Sequence, residues 1–151
     1  MRARSMRVID LSVHHVETIT ADVTIRDCAK QMRSNHVGSL VVINEENKPI
    51  GMITDRDLTL EVIAKELDPD ATRVRDVMAR PAVVAKAEEN IVDALARMRE
   101  FGIRRLPVIG EDGTLAGVVT NSNLLEELSM MLDSIVRNIK SSKTREVELR
   151  S

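Results

Sequence analysis

Few residues in this 151-residue sequence combine the type and the spacing that chemistry requires. His14 and His15 are adjacent near an expected strand, where neighbouring side chains point to opposite faces, and His36 lies far from both. These positions do not have the spacing of zinc ligands. Cys28 is the single cysteine, and its place on the apolar face of an expected helix predicts a small core residue rather than a reactive thiol. We therefore expect no metal site and no disulfide.

The motifs of the common catalytic sites do not occur in the sequence. It contains no P-loop, no nucleophile elbow and no paired carboxylates with a base partner. With no Trp, no Tyr and one Phe, it cannot stack successive bases on aromatic side chains. Its 22 basic and 24 acidic residues are spread over both halves, and no apolar run approaches the roughly 20 residues that cross a bilayer. We expect a cytoplasmic protein that is not an enzyme and that has no membrane partner.

The elements that position any site come from an internal repeat. A shift of 66 positions aligns residues 7–58 with residues 73–124 without a gap, and identical residues recur in every part of the alignment. Examples are Val8 with Val74 and Gly51 with Gly117. The chain is therefore built from two copies of one unit.

Periodicity predicts the same order of elements, β-α-β-β-α, in both repeats. The expected strands are 16–19, 40–43 and 50–53, followed by 82–85, 106–109 and 115–119. Neither unit buries enough surface alone, so we predict an α/β (α+β) fold in which the repeats pack sheet to sheet with pseudo-twofold symmetry. The expected domains are repeat 1 over 7–67, a linker over 68–72, repeat 2 over 73–128, and a C-terminal helix extension with a frayed tail over 129–151.

An apolar stripe at helical spacing marks that C-terminal extension. It includes Leu128, Leu132, Ile135 and Ile139, which predicts that the last helix reaches about residue 140. The residues beyond are polar and of mixed charge, and we expect them to fray. The stripe either folds back on its own module or pairs with another subunit.

Several short segments of the two repeats carry a family resemblance. Residues 74–78 read VRDVM, residues 103–109 read IRRLPVI, and GMITDRDL at 51–58 has GVVTNSNL at 117–124 as its counterpart. In combination they resemble a tandem pair of cystathionine-β-synthase (CBS) domains, a Bateman module, over about residues 7–128. The resemblance implies a regulatory module without catalysis that binds adenosine-containing molecules such as AMP, ADP, ATP or S-adenosylmethionine.

The resemblance also implies a ribose site. Asp57 stands where the family's G-x-x-T/S-x-x-D pattern has the aspartate that holds ribose, and its two oxygens suit a diol. Thr54 can cap the following helix and offer its hydroxyl to ribose or phosphate. The alternative is that both residues only cap a helix. Repeat 2 keeps Thr120 but has Asn123, whose single uncharged acceptor oxygen predicts a weaker site.

Phosphate and adenine contacts are implied in the same way. Arg104 and Arg105 match a family position that often reaches phosphate, and guanidinium groups bind phosphate bidentately. A solvated basic edge is the alternative. The implied apolar slot for adenine is lined by residues that would also suit a core, namely Thr18, Val37, Ile53, Met78, Pro81 and Ile103.

These residues predict a sensor of an adenine nucleotide of the AMP, ADP or ATP class. It would need no cofactor, would form a homodimer, and would transmit binding to a protein target that the sequence does not identify. One alternative is a ligand-free scaffold or dimerisation module, which Asn123 supports. The others are a binder of S-adenosylmethionine, NAD or cyclic di-AMP, or a nucleic-acid binder that uses the arginines of the second half.

Overall fold

The computed structural model describes residues 6–150. The first half contains α1 (Val8–Leu11), β1 (Thr18–Thr20), α2 (Ile25–Asn35), β2 (Ser39–Ile43), β3 (Pro49–Thr54) and α3 (Asp55–Leu58), which continues as a π-helical segment over Thr59–Ile63. The second half contains α4 (Val74–Val77), β4 (Ala85–Lys86), α5 (Ile91–Phe101), β5 (Arg105–Ile109), β6 (Leu115–Thr120) and α6 (Asn121–Arg150).

Each half forms a three-stranded sheet of the same topology. In the first sheet β1 pairs parallel to β2 and β2 antiparallel to β3, and the second sheet repeats this arrangement with β4, β5 and β6. Even an irregularity in the register recurs, between Val42 and Ile43 and again between Val108 and Ile109. The predicted order of strands and helices and the mixed α+β class are confirmed.

Local sequence explains why α2 and α5 begin and end where they do. The hydroxyl of Thr24 accepts a hydrogen bond from the backbone N–H of Asp27, and Asn90 accepts one from Val92. Each helix is followed by a residue with a left-handed backbone conformation, His36 after α2 and Gly102 after α5. One apolar face of each helix is buried.

Cys28 lies on the buried face of α2, as predicted, and is fully buried. Burial raises the pKa of its thiol to about 11, because the apolar surroundings disfavour a thiolate. The thiol is therefore protonated at neutral pH and packs as a small apolar group.

The two repeats exchange their opening helices, so that the opening helix of each repeat packs in the core of the other. Val74 of α4 lies in the core of the first sheet, and Val8 of α1 lies in the core of the second. Backbone hydrogen bonds fix both exchanges, because the N–H of Val74 donates to Val23 and the N–H of Val8 donates to Glu89. Each core is therefore completed by the opposite repeat.

The same exchange continues along the third strand of each sheet. Met52 forms an antiparallel bridge with Ala79, and Val118 forms the equivalent bridge with Val13. Close approach is possible because a glycine precedes each bridge: a Cβ placed on Gly51 would lie 2.7 Å from the carbonyl oxygen of Ala79. The repeats are thus joined by main-chain contacts.

Three predicted boundaries were wrong. The first strand of each repeat starts later than expected, at Thr18 and at Ala85. Residues before each strand line a cleft, and of these Glu17 still pairs with β2, because its carbonyl accepts a hydrogen bond from the N–H of Val41. The last helix does not fray near residue 140 but continues to Arg150. Neither Gly nor Pro interrupts residues 121–150, and ion pairs one turn apart, such as that between Arg137 and Asp133, support the helix.

Candidate functional site

A cleft of about 620 Å³ lies between the two halves of the molecule. The first half contributes the end of β3 and the start of α3, and the second half contributes the approach to β4 and the start of β5. Of the residues predicted for the site, the lining includes Thr54, Asp57, Pro81, Ile103, Arg104 and Arg105.

Thr54 and Asp57 form a capping box at the start of α3. The backbone N–H of Thr54 donates to Asp57 Oδ2 at 2.9 Å, and the N–H of Asp57 donates to the hydroxyl of Thr54 at 3.2 Å. The cap uses one carboxylate oxygen and holds the side chain, half-buried, at the cleft wall. The second oxygen, Oδ1, is available to a ligand, so capping and ligand contact are compatible.

Three arginines surround the same cleft. Arg104 and Arg105 come from the second half, and Arg56 comes from α3 of the first half. All three are exposed, and in the chain from residue 6 to residue 150 none of them forms a salt bridge. With Asp55 and Asp57 as the acidic lining residues, the cleft carries a formal charge of +1. Such a cleft attracts an anion.

Arg56 and Asp55 are lining residues that the sequence analysis missed. A signal existed, because both lie between Thr54 and Asp57 in the motif already singled out. The backbone N–H of Asp55 donates to the carbonyl of Gly38 at 2.9 Å, and Gly38 lines the cleft as well. Its carboxylate accepts from the backbone N–H of Arg56 at 2.8 Å.

The opposite wall is apolar and is held in place by α5. Ala82 and Val83 line the cleft just before β4. Arg97 of α5 donates to the carbonyl of Val84 at 2.8 Å and forms two hydrogen bonds with the carboxylate of Glu89. The Arg97 guanidinium lowers the pKa of Glu89 and so keeps this carboxylate ionised.

A second, smaller cleft of about 270 Å³ lies at the pseudo-symmetric position. His15 and Glu17 occupy the places that Pro81 and Val83 have in the large cleft. Glu17 accepts a hydrogen bond from Asn35 and lies 3.1 Å from the imidazole of His15. A carboxylate on this wall opposes a phosphate, so the two clefts differ in charge as well as in volume.

Thr120 and Asn123 do not line either cleft. The hydroxyl of Thr120 donates to Asn123 Oδ1 at 2.6 Å, and the backbone N–H of Asn123 donates back to that hydroxyl. The amide oxygen of Asn123 therefore accepts a hydrogen bond from within its own repeat.

The other four residues predicted for the adenine slot do not line the large cleft. Val37 lines the smaller cleft, and Ile53 is fully buried in the first core. Met78 packs against that core. Thr18 belongs to β1, where its carbonyl accepts a hydrogen bond from Gln31 at 2.7 Å.

Arg105 connects the two clefts. It lines both of them, and its guanidinium donates to the hydroxyl of Ser39, the residue at the equivalent position of the first repeat. A group bound in the large cleft thus lies beside a contact between the repeats.

The part of the chain that the structure describes contains neither a candidate metal site nor a candidate membrane-spanning helix. Among residues 6–150, no three His, Cys, Asp or Glu side chains are grouped closely enough to hold a metal ion. No helix in that part of the chain has the length and apolar character needed to span a membrane.

Two repeats that exchange their opening helices and enclose a cleft define a class of tandem ligand-binding modules. Comparison with known proteins identifies the family to which this chain belongs. The CBS domain family matches residues 8–64 and again residues 74–130. The chain belongs to the CBS domain family and contains a tandem pair of these domains, as the sequence motifs predicted.

The relatives include proteins of archaea and bacteria. The uncharacterized protein MK0525 of Methanopyrus kandleri is 33% identical over 137 residues, which cover 91% of this chain and 70% of that protein. The crystal structure of Hypoxic Response Protein I with two coordinated zinc ions matches with a TM-score of 0.72 at 27% identity. The match covers 80% of this chain and 98% of that protein's chain. The CBS domain protein PAE2072 of Pyrobaculum aerophilum, complexed with AMP, has a TM-score of 0.73 at 24% identity over 85% of this chain and 97% of its own.

Proposed function

We propose that this chain is a non-catalytic regulatory module that binds an adenine nucleotide of the AMP, ADP or ATP class in the large cleft. As a homodimer it would pass the bound state on to a protein target. The observation that carries the proposal is the meeting, in one cleft, of the Asp57 carboxylate with the unpaired guanidinium groups of Arg56 and Arg104. PAE2072, which shares the fold, is a protein known in complex with AMP.

The chemistry of the lining matches the three parts of a nucleotide. The carboxylate of Asp57 accepts hydrogen bonds from ribose hydroxyls, and the arginines bind phosphate. The apolar wall of Ala82, Val83 and Ile103 provides a surface for the adenine ring. Each part is supplied by a different segment, so the nucleotide contacts both repeats at once.

Contact with both repeats gives a physical basis for regulation. A ligand shifts a conformational equilibrium only as far as it binds one state more tightly than the other. A nucleotide that contacts Asp57 of one repeat and Arg104 of the other favours the arrangement in which these residues face the same cleft. A target that recognises this arrangement would sense the nucleotide.

Calorimetry with AMP and adenosine tests the proposal. We expect wild-type protein to bind AMP more tightly than adenosine. Replacing both Arg104 and Arg105 by Gln should weaken AMP binding about tenfold or more and leave adenosine nearly unchanged, because a charge-assisted hydrogen bond contributes about 1.5–3 kcal/mol. Arg99→Gln, on an exposed side chain outside the cleft lining, is the matched control.

Two outcomes would contradict the proposal. Equal losses for AMP and adenosine in the double variant would show that the arginines support the fold and not the phosphate. Absence of binding by AMP, ADP and ATP, measured also as the absence of a thermal shift at millimolar ligand, would favour a ligand-free scaffold.

A further inference from the structure

The last helix carries an apolar seam that residues 6–150 of its own chain leave uncovered. α6 is 30 residues long, about 45 Å, and none of its described residues is buried. Leu128, Leu132, Ile135 and Ile139 repeat at intervals of four, three and four residues, the pattern of a coiled-coil seam. Their side chains are 51% to 56% exposed.

The seam cannot fold back onto its own module without breaking the helix. No Gly or Pro occurs between residues 121 and 150, and these residues are the usual causes of sharp breaks and kinks. Two ion pairs, Arg137 with Asp133 and Arg150 with Glu146, each join side chains one turn apart and stabilise the helix. Exposed apolar surface of this extent is costly in water, which favours a partner that covers the seam.

Charge along α6 indicates the chemistry of that partner. Residues 121–135 contain three acidic and no basic side chains, a net charge of −3. Residues 136–150 contain five basic and two acidic side chains, a net charge of +3. The helix is therefore complementary to itself when two copies run in opposite directions, whereas a parallel pair would place like charges together.

The spacing of the seam agrees with this direction. The intervals of four, three and four residues read the same forwards and backwards. Reversing one helix brings Leu128 opposite Ile139 and Leu132 opposite Ile135. Self-pairing in this register buries all four layers of the seam on both copies.

We propose that α6 pairs with α6 of a second copy of this chain as an antiparallel helix pair, with Leu128 of one copy against Ile139 of the other. The inference deepens the proposed homodimer by assigning its contact surface and its direction. Because the seam lies outside the lining of the nucleotide cleft, pairing and nucleotide binding can be measured separately.

Site-directed disulfide formation tests the direction of the pair in the full-length protein. Leu128→Cys and Ile139→Cys are made separately in a Cys28→Ala background and oxidised with copper phenanthroline. We expect each variant alone to give little covalent dimer and an equimolar mixture to give a mixed dimer, because the two positions face each other only between antiparallel copies. Met130→Cys, on the opposite side of α6 and 64% exposed, is the matched control and should not cross-link.

Light scattering after size exclusion gives the oligomeric state of the same samples. We expect a dimer for the wild type and for Met130→Lys, and a monomer for Leu132→Lys. Strong cross-linking of Leu128→Cys with itself would overturn the antiparallel pair. A dimer without any cross-link through α6 would overturn the assigned surface and leave the homodimer standing, whereas a monomeric wild type would overturn both.

Discussion

Asp57 and Asn123 occupy equivalent positions in the two repeats and have different hydrogen-bonding roles. Asp57 accepts from a backbone N–H through one oxygen and keeps a second oxygen at the large cleft. Asn123 has one acceptor oxygen, which already receives the hydroxyl of Thr120. A carboxylate at this position can thus cap a helix through one oxygen and offer the other to a ligand, whereas the amide has a single acceptor oxygen and no charge.

At this scale we predict that Asp57→Asn weakens AMP binding about tenfold or more. The substitution keeps the shape and one acceptor oxygen for the cap, but removes the charge and an acceptor from the ribose contact, which is equivalent to about 1.5–3 kcal/mol. Calorimetry on Asp57→Asn and on the control Asn123→Ala checks the prediction. A larger loss in Asn123→Ala would place the principal site in the second repeat.

Among the elements, α2 and α5 hold the approach to the first strand of their repeat with different side chains. Gln31 donates to the carbonyl of Thr18 at 2.7 Å, and Arg97 donates to the carbonyl of Val84 at 2.8 Å from the equivalent position. Arg97 also pairs with Glu89 at 2.7 Å. In the second repeat this arrangement supports the apolar wall of the cleft.

We predict that Arg97→Ala lowers the free energy of unfolding by about 1.5–3 kcal/mol, whereas Arg97→Gln costs less because it can keep the carbonyl contact that Gln31 makes. Urea unfolding measures both, with the exposed Arg99→Ala expected within about 0.5 kcal/mol of wild type. Arg97 lowers the pKa of Glu89, so the stabilisation is present above the ordinary glutamate pKa and is lost as the pH falls through the lowered value. Equal losses for Ala and Gln at neutral pH would contradict the shared role.

In the whole molecule, the exchange of α1 and α4 makes the two cores dependent on each other. Val74 belongs to the second repeat in sequence and to the first core in space, and Val8 has the reverse placement. The large cleft lies where the segment after α4 meets β3, at the bridge between Met52 and Ala79. Rearrangement of one repeat therefore acts directly on the core of the other.

We predict that Val74→Ala destabilises the molecule by about 1.5–3 kcal/mol in a single cooperative unfolding transition, because it removes two buried methyl groups and leaves a cavity. Hydrogen exchange should show reduced protection in both sheets, because the first core depends on α4 and the second repeat contains it. Val92→Ala, at a side chain that is 65% exposed, is the control and should change neither measurement. Two separate transitions would show that the repeats fold independently.

The local features of this protein were determined by its sequence. The repeat, the β-α-β-β-α order, the caps at Thr24 and Asn90 and the buried position of Cys28 follow from spacing and side-chain chemistry within a few residues. The family motifs also identified Asp57 and Arg104, which line the same cleft. The true end of α6 was open to prediction as well, since residues 121–150 contain no helix breaker.

Only the tertiary structure decided how the repeats complete each other and how their two clefts differ. The exchange of α1 and α4 depends on contacts between residues far apart in sequence, such as Val74 with Val23 and Val8 with Glu89. The same long-range packing brings Arg56 to the large cleft and Glu17 to the small one. Because the repeats are nearly equivalent locally, their difference in volume and charge arises only when both halves are placed against each other.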